Sequence, residues 1–259
     1  MGQSERSGVA VRSNFMRRIT CILSVLVGLT WALCVAGCQS VEPVAAVASA
    51  SPTGESGAAD LAGVAATAAN ARARFDYYVL ALSWSPQHCS TPAGRRDAVQ
   101  CAGPRPYSFI VHGLWPQYER GWPQDCTSDA RLSGKVVNDA LDIMPSQPLI
   151  RHEWSKHGTC SGLTPEAYFA LARTAFRQFQ APDDYGTPDR EIYVSPAKYK
   201  TAWMQANTGL QASQFAINCT GRYLQEVRIC LDKNLRPRPC GADVRDRCRV
   251  PEMIVRPLR

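Results

Sequence analysis

Apolar and polar positions divide this chain into three stretches. From Ile19 to Ala36 the residues are predominantly apolar. From 39 to 73 small residues dominate, with no apolar period and no aromatic. From Phe75 onward, periodic segments alternate with turn-forming clusters. Phe75–Trp84 (FDYYVLALSW) is aromatic and aliphatic along its length, which predicts a strand buried on both faces. Tyr107–Leu114 predicts a second strand, ended by Trp115-Pro116 because proline cannot donate to a ladder. In Tyr223–Leu231, Tyr223, Val227, Ile229 and Leu231 fall on one side, with Glu226 and Arg228 on the other. That is a third strand, and Asp232-Lys233-Asn234 is a turn after it. Thr164-Pro165-Glu166 reads as a helix start, with a capping side chain, a first-turn proline and an early acid. Tyr168, Leu171, Ala175 and Phe179 then share one helical face. Val136–Ile143 predicts a shorter helix stopped by Pro145. Strands and helices do not alternate regularly, so the expected fold is α+β, a central antiparallel sheet flanked by helices.

The first two stretches lie outside that fold. Arg12, Arg17 and Arg18 precede the 18-residue apolar run, the pattern of an export signal. The run is at the lower edge of what a bilayer requires, so an uncleaved anchor is the alternative. Val35-Ala36-Gly37-Cys38 resembles a bacterial lipobox, which makes residues 1–37 a lipoprotein-type signal and Cys38 the lipidated first residue. An ordinary signal peptide, cut there or near Ala48-Ser49-Ala50, is the other reading. Residues 38–73 are expected to form a flexible tether with a reach of roughly 30–35 Å. The folded domain is then 74–259, about 185 residues, enough for one sizeable core. The expected location is the cell envelope, lipid-anchored in an outer membrane or the periplasm, and otherwise secreted.

Charge narrows the picture only a little. The chain carries +7, of which +3 lies in the first 37 residues, leaving a mildly basic +4. That permits a polyanionic partner without identifying one. The eleven cysteines are more informative. Cys21 and Cys34 leave with the signal, and Cys38 is assigned to lipid. Eight remain: Cys89, Cys101, Cys126, Cys160, Cys219, Cys230, Cys240 and Cys248. An even set in an exported chain argues for four disulfides, although 105 pairings are possible. None forms a C-x-x-C pair, which disfavours a zinc ribbon.

Three of the four histidines fall in two short segments. In Phe109–Pro116 (FIVHGLWP), a strand end presents His112, Gly113 and Trp115. In His152–Cys160 (HEWSKHGTC), helical spacing makes Glu153 and His157 neighbours at i,i+4, and likewise His152 and Lys156. Gly158 is a plausible terminator. Cleaving RNA requires a base for the 2′-hydroxyl, an acid for the 5′-oxygen, charge to steady the phosphorane, and an aromatic surface for a base. Two imidazoles suit the proton transfers at mild pH. Lys156 supplies a fixed charge, and Trp115 a stacking face. No metal or other cofactor is needed, because the nucleophile lies in the substrate. Taken singly, His112 reads as a strand-end histidine, Lys156 as a solvated charge, and Trp115 as core. His88, beside Cys89, reads as structural, and Arg236-Pro237-Arg238 as a solvated loop.

These two segments resemble the two signature boxes of the ribonuclease T(2) family, without a departure and in the family's order. The resemblance extends over essentially all of 75–259. It implies that His112 and His157 are the acid–base pair, with His157 the base and His112 the acid. It further implies that Glu153 and Lys156 steady the pentacovalent phosphorus, that His152 positions the phosphate and that Trp115 stacks on the base. Tyr118 and Trp122 are candidates for the same pocket. Many relatives have glutamine before the tryptophan of the first strand, where this chain has Ser83. The implied disulfides are Cys126–Cys160, Cys219–Cys248, Cys230–Cys240 and Cys89–Cys101. The expected activity is endonucleolytic cleavage of single-stranded RNA, with low base specificity, by a monomer that meets a membrane only through a lipid on Cys38. Two other classes compete. A zincin requires H-E-x-x-H, but His152 and His157 are five apart, which takes them off one helical face. A non-catalytic RNA-binding lipoprotein would lack some of these residues, and this chain has them all. Sensitivity to EDTA separates the first class, and binding without cleavage the second.

Overall fold

The computed structural model describes residue 70 and residues 73–258. The signal, the lipobox Cys38 and most of the 38–73 tether therefore lie outside the described residues. Elements run in the order β1 (Tyr77–Trp84), α1 (Ser85–Cys89), α2 (Ala98–Cys101), β2 (Phe109–Gln117), α3 (Gly134–Ala140), α4 (Gln147–Lys156), α5 (Pro165–Arg177), α6 (Asp183–Gly186), β3 (Ile192–Val194), α7 (Pro196–Ala206), β4 (Phe215–Thr220), β5 (Tyr223–Leu231) and β6 (Met253–Val255). The sheet runs β2-β1-β5-β6-β3, with β4 also paired to β5. All pairings are antiparallel except β5 with β6. This is the α+β architecture expected, with four disulfides: Cys89–Cys101, Cys126–Cys160, Cys219–Cys248 and Cys230–Cys240. Among the described residues no helix is long and apolar enough to cross a membrane.

The two faces of the sheet differ. One packs on the main core, where Tyr78, Leu80, Leu82 and Trp84 of β1 meet Val227, Ile229 and Leu231 of β5, and Tyr168 and Trp203 of the helices. On the other, Tyr77, Val79, Ala216, Cys230 and Val244 form a small apolar cluster at one end. β1 is buried on both sides as its composition predicts, with only Ser83 partly accessible. Thr164 caps α5 by accepting from the Ala167 N–H. Ser133 does the same for α3, accepting from Val136, so that helix covers Gly134–Ala140 and not 136–143. Ile143 and Met144 leave the helix to enter the core, and the Ile143 carbonyl accepts from the Val111 N–H at 2.9 Å.

Two sequence expectations need correction. β2 does not stop at Leu114; it pairs through Pro116 with Tyr78 and Gln117 with Tyr77. Proline is tolerated because β2 is an edge strand, so the missing N–H need not face a partner. The folded body also reaches back into the stretch expected as tether. Asn70 is buried, accepts a hydrogen bond from the Tyr78 hydroxyl at 2.6 Å, and donates to the Lys233 carbonyl at 3.0 Å.

Candidate active site

Register places the first histidine. Ala81 pairs with Gly113 and Leu82 with Val111, so His112 is left over as a one-residue β-bulge. Positions three apart in a regular strand point to opposite faces. The bulge removes one step of that alternation and brings His112 to the side of Trp115, ring centroids 5.1 Å apart. Gly113 lies in a row with Ala81 of β1, Arg228 of β5 and Ala216 of β4. Three of those four side chains are small. Arg228 extends over them and sets its guanidinium 5.0 Å from the centre of the Trp115 ring.

The second histidine arrives on α4. Gln147–Lys156 is helical as the i,i+4 spacing implies, Pro148 sits in its first turn, and His157 is the residue that caps its end. The His157 N–H still donates to the Glu153 carbonyl at 3.0 Å, which keeps the two on one face. The His157 ring lies 5.3 Å from Trp115, so both imidazoles contact the same indole. The Trp115 indole N–H donates to Glu153 Oε2 at 2.6 Å, and Glu153 Oε1 lies 3.6 Å from His112 Nε2. Cys126–Cys160 ties the loop after β2 to the turn after α4, next to a hydrogen bond from the Asp125 N–H to the Lys156 carbonyl. A disulfide closing 34 residues contributes on the order of 4 kcal/mol through loop entropy.

Environment drives the two imidazoles in opposite directions. Burial lowers the His157 pKa to about 3, helped by the positive fields of Lys156, His152 and His112. Its Nδ1 is buried without a hydrogen-bond partner. Burial also acts to lower His112, but the hydrogen bond and charge of Glu226, with the charge of Glu153, outweigh it and the net direction is upward. Glu153 is 1% exposed. Burial pushes its pKa up to about 7 against the opposing pull of His112 and of the Trp115 hydrogen bond.

His112, His157, Glu153 and Trp115 thus form one cluster, with Lys156 and the exposed His152 on the adjoining helix. Tyr118 and Trp122 lie past the end of β2, both exposed. Ser83 lines a 210 Å³ cavity together with His112, Glu226, Gln225 and His88. Two members escaped the sequence reading: Glu226, buried and bonded to His112 Nδ1 at 2.6 Å, and Arg228. Their signal lay in the even positions of Tyr223–Leu231. These mix Leu224 and Cys230 with the two charges, which does not describe a purely solvated face. Among the described residues no group of three or more His, Cys, Asp or Glu is arranged to hold a metal ion.

Gly113 is required by close approach. A Cβ there would overlap Trp115 Nε1 and Glu153 Oε2, the two atoms of the short hydrogen bond. Gly113→Ala is expected to cost about 1–3 kcal/mol of stability and to lower RNA cleavage at least about tenfold. Thermal unfolding and initial cleavage rates check this; wild-type rates in the variant would show that the Trp115–Glu153 contact is dispensable.

Fold and cluster together define a disulfide-bonded α+β protein with an imidazole pair, a buried carboxyl and an indole at one site. Comparison with known proteins narrows this further. The model of the Ribonuclease T2 family matches residues 75–240. A ribonuclease of Aeromonas hydrophila is 35% identical over 199 residues, covering 74% of this chain and 90% of that protein. A probable ribonuclease of Haemophilus influenzae is 30% identical over 190 residues, covering 66% of this chain and 63% of that protein. Among solved structures, the RNase-related protein from Calystegia sepium matches with a TM-score of 0.58 at 20% identity, over 70% of this chain and 97% of the other, a likeness of fold. The chain belongs to the Ribonuclease T2 family.

Proposed function

We propose that this ribonuclease cleaves single-stranded RNA by transphosphorylation, using the substrate's own 2′-hydroxyl as nucleophile. The observation that carries the reading is that His112 and His157 both pack against Trp115, in environments of opposite effect. An imidazole kept neutral is suited to accept a proton, and one kept cationic to give one. His157 takes the 2′-hydroxyl proton as the 2′-oxygen bonds to phosphorus. His112, its Nδ1 engaged by Glu226, gives a proton from Nε2 to the 5′-oxygen as the P–O5′ bond breaks. The products are a 2′,3′-cyclic phosphate and a free 5′-hydroxyl, and slower hydrolysis of the cycle yields a 3′-phosphate. Glu153, protonated below about pH 7, donates to a non-bridging oxygen as charge builds there. Lys156 adds positive charge and His152 positions the phosphate. Trp115 and the exposed Tyr118 and Trp122 offer aromatic faces, which grip bases with little regard to identity.

The same reading makes the reaction independent of metal, because the nucleophile belongs to the RNA. Export rests on residues 1–37, and anchoring by lipid on Cys38 rests on Val35-Ala36-Gly37-Cys38. We propose a monomer held at the cell envelope by that lipid. The test is incubation of the oxidised protein with single-stranded RNA in excess EDTA, followed by analysis of product ends. Cyclic-phosphate ends are expected. Loss of cleavage in EDTA would point to a metal enzyme, and 5′-phosphate products would overturn the use of the 2′-hydroxyl.

A further inference from the structure

Glu226 is buried, lies 114 residues from His112 in sequence, and approaches its ring more closely than does Glu153, the carboxyl of the second sequence box. We infer that Glu226 is the positioning residue of the acid histidine, accepting the Nδ1–H so that Nε2 is the nitrogen presented to the leaving oxygen. The inference rests on the acid role proposed for His112. Three observations support it.

First, His112 is the unpaired residue of a bulge, so the β1–β2 ladder does not orient its ring. Something else must, and the 2.6 Å bond to Glu226 Oε2 is the shortest contact the ring makes. Second, Glu226 is itself held. Arg228 Nε donates to its other oxygen, Oε1, at 2.5 Å. Asn218, its partner across the β4–β5 ladder, accepts from Arg228 at 3.0 Å once its amide oxygen faces the guanidinium. A carboxylate with both oxygens occupied and 3% exposure has little freedom to turn. Third, the charges that act on His112 come from two elements, Glu226 and Arg228 from β5 and Glu153 from α4, with His157 at the end of that helix interacting with it in turn. His88 and Asp97 line the cavity beside it. Of the two carboxylates within 4 Å of the ring, Glu153 already accepts from Trp115 and stands 3.6 Å from Nε2, the nitrogen that must meet substrate. Glu226 is therefore the group that can hold the opposite nitrogen without obstructing the reaction.

A carboxylate hydrogen-bonded to an imidazolium fixes the ring and favours the protonated form. Removing the charge while keeping the shape should separate these effects. For Glu226→Gln, the alkaline limb of the kcat/KM profile is expected to move down by about one pH unit or more. Cleavage at pH 8 should fall about tenfold or more, and recover to within a few-fold of wild type near pH 5. The His112 titration, followed by NMR of the ring protons without substrate, should move by the same interval. KM for a dinucleotide should change by less than about threefold, since Glu226 is not given a contact with RNA. Glu226→Asp keeps the charge and shortens the reach, so its alkaline limb should stay near that of the wild type with a reduced kcat. An unmoved alkaline limb and an unmoved His112 titration in Glu226→Gln would overturn the inference. If that variant does not fold, a Glu226→Asp variant that keeps both the wild-type kcat and the wild-type alkaline limb would overturn it equally. His112→Ala serves as the reference: if it retains cleavage, the acid role has failed; if it is inactive while Glu226→Gln keeps the wild-type profile, the role of Glu226 alone has failed.

Discussion

Alanine in place of His157 is expected to lower kcat/KM for single-stranded RNA by about 10³-fold, and alanine in place of His112 by a similar factor, within the range of about 10²–10⁴ for a positioned acid or base. The two losses should differ in their dependence on pH. His157 must be neutral to accept a proton, and its pKa is lowered to about 3 by burial and by neighbouring cations. Wild-type activity should therefore rise as pH increases through that low value. His112 must be protonated to donate, and its pKa is raised, so activity should fall as pH passes above the ordinary imidazole value. Between the limits both groups hold the required states. His157→Ala should remove the acid limb, and His112→Ala the alkaline limb, in profiles taken from about pH 2 to 9 so that both limbs are covered. The double variant should be little worse than either single one, because the pair acts as a unit. Retention of the alkaline limb in His112→Ala would transfer the acid role to another group, with Glu153 the first to examine, since it lies 3.6 Å from His112 and has a pKa near 7.

A second large effect is expected on the substrate side. One 2′-deoxy nucleotide placed in an otherwise ribose oligomer should abolish cleavage at the linkage on its 3′ side and leave the other linkages untouched. The reason is chemical: that position has no oxygen to attack phosphorus and no proton for His157 to take. Binding should survive, since stacking on aromatic faces does not require the 2′-hydroxyl. The oligomer should therefore inhibit cleavage of a second, all-ribose RNA. Product mapping on a sequencing gel decides the matter. A cut at the deoxy linkage would require water as the nucleophile, and with it a different placement of the base.

How much of this could be read from the chain depends on the range of each interaction. The Thr164 cap of α5 is written in neighbouring residues and formed as expected. The doubly buried β1 was evident from its unbroken apolar run. The α4 residues Glu153 and His157 were linked by helical spacing, and the backbone hydrogen bond between them has that spacing. Other features were not local. The end of β2 was misjudged because Pro116 reads as a strand breaker, whereas edge position is a property of the whole sheet. Asn70 sits in a stretch whose composition suggests a tether, yet it is buried through bonds with Tyr78 and Lys233.

The amino-acid sequence alone determined the family resemblance, the α+β class, and the two segments that hold His112, Trp115, Glu153 and His157, because each rests on residue types at short spacing. Only the tertiary structure decided how those segments meet. A one-residue slip between β1 and β2 turns His112 toward Trp115, and pairing of β5 to β1 brings Glu226 to its Nδ1. It also decided that two chemically identical imidazoles should differ in proton affinity. Burial lowers both, and only His112 has buried carboxylates from β5 and α4 beside it to reverse the sign. Electrostatic neighbours in space, unlike neighbours along the chain, are set by packing of elements far apart in sequence, Glu226 being 114 residues from His112, and no local pattern encodes them.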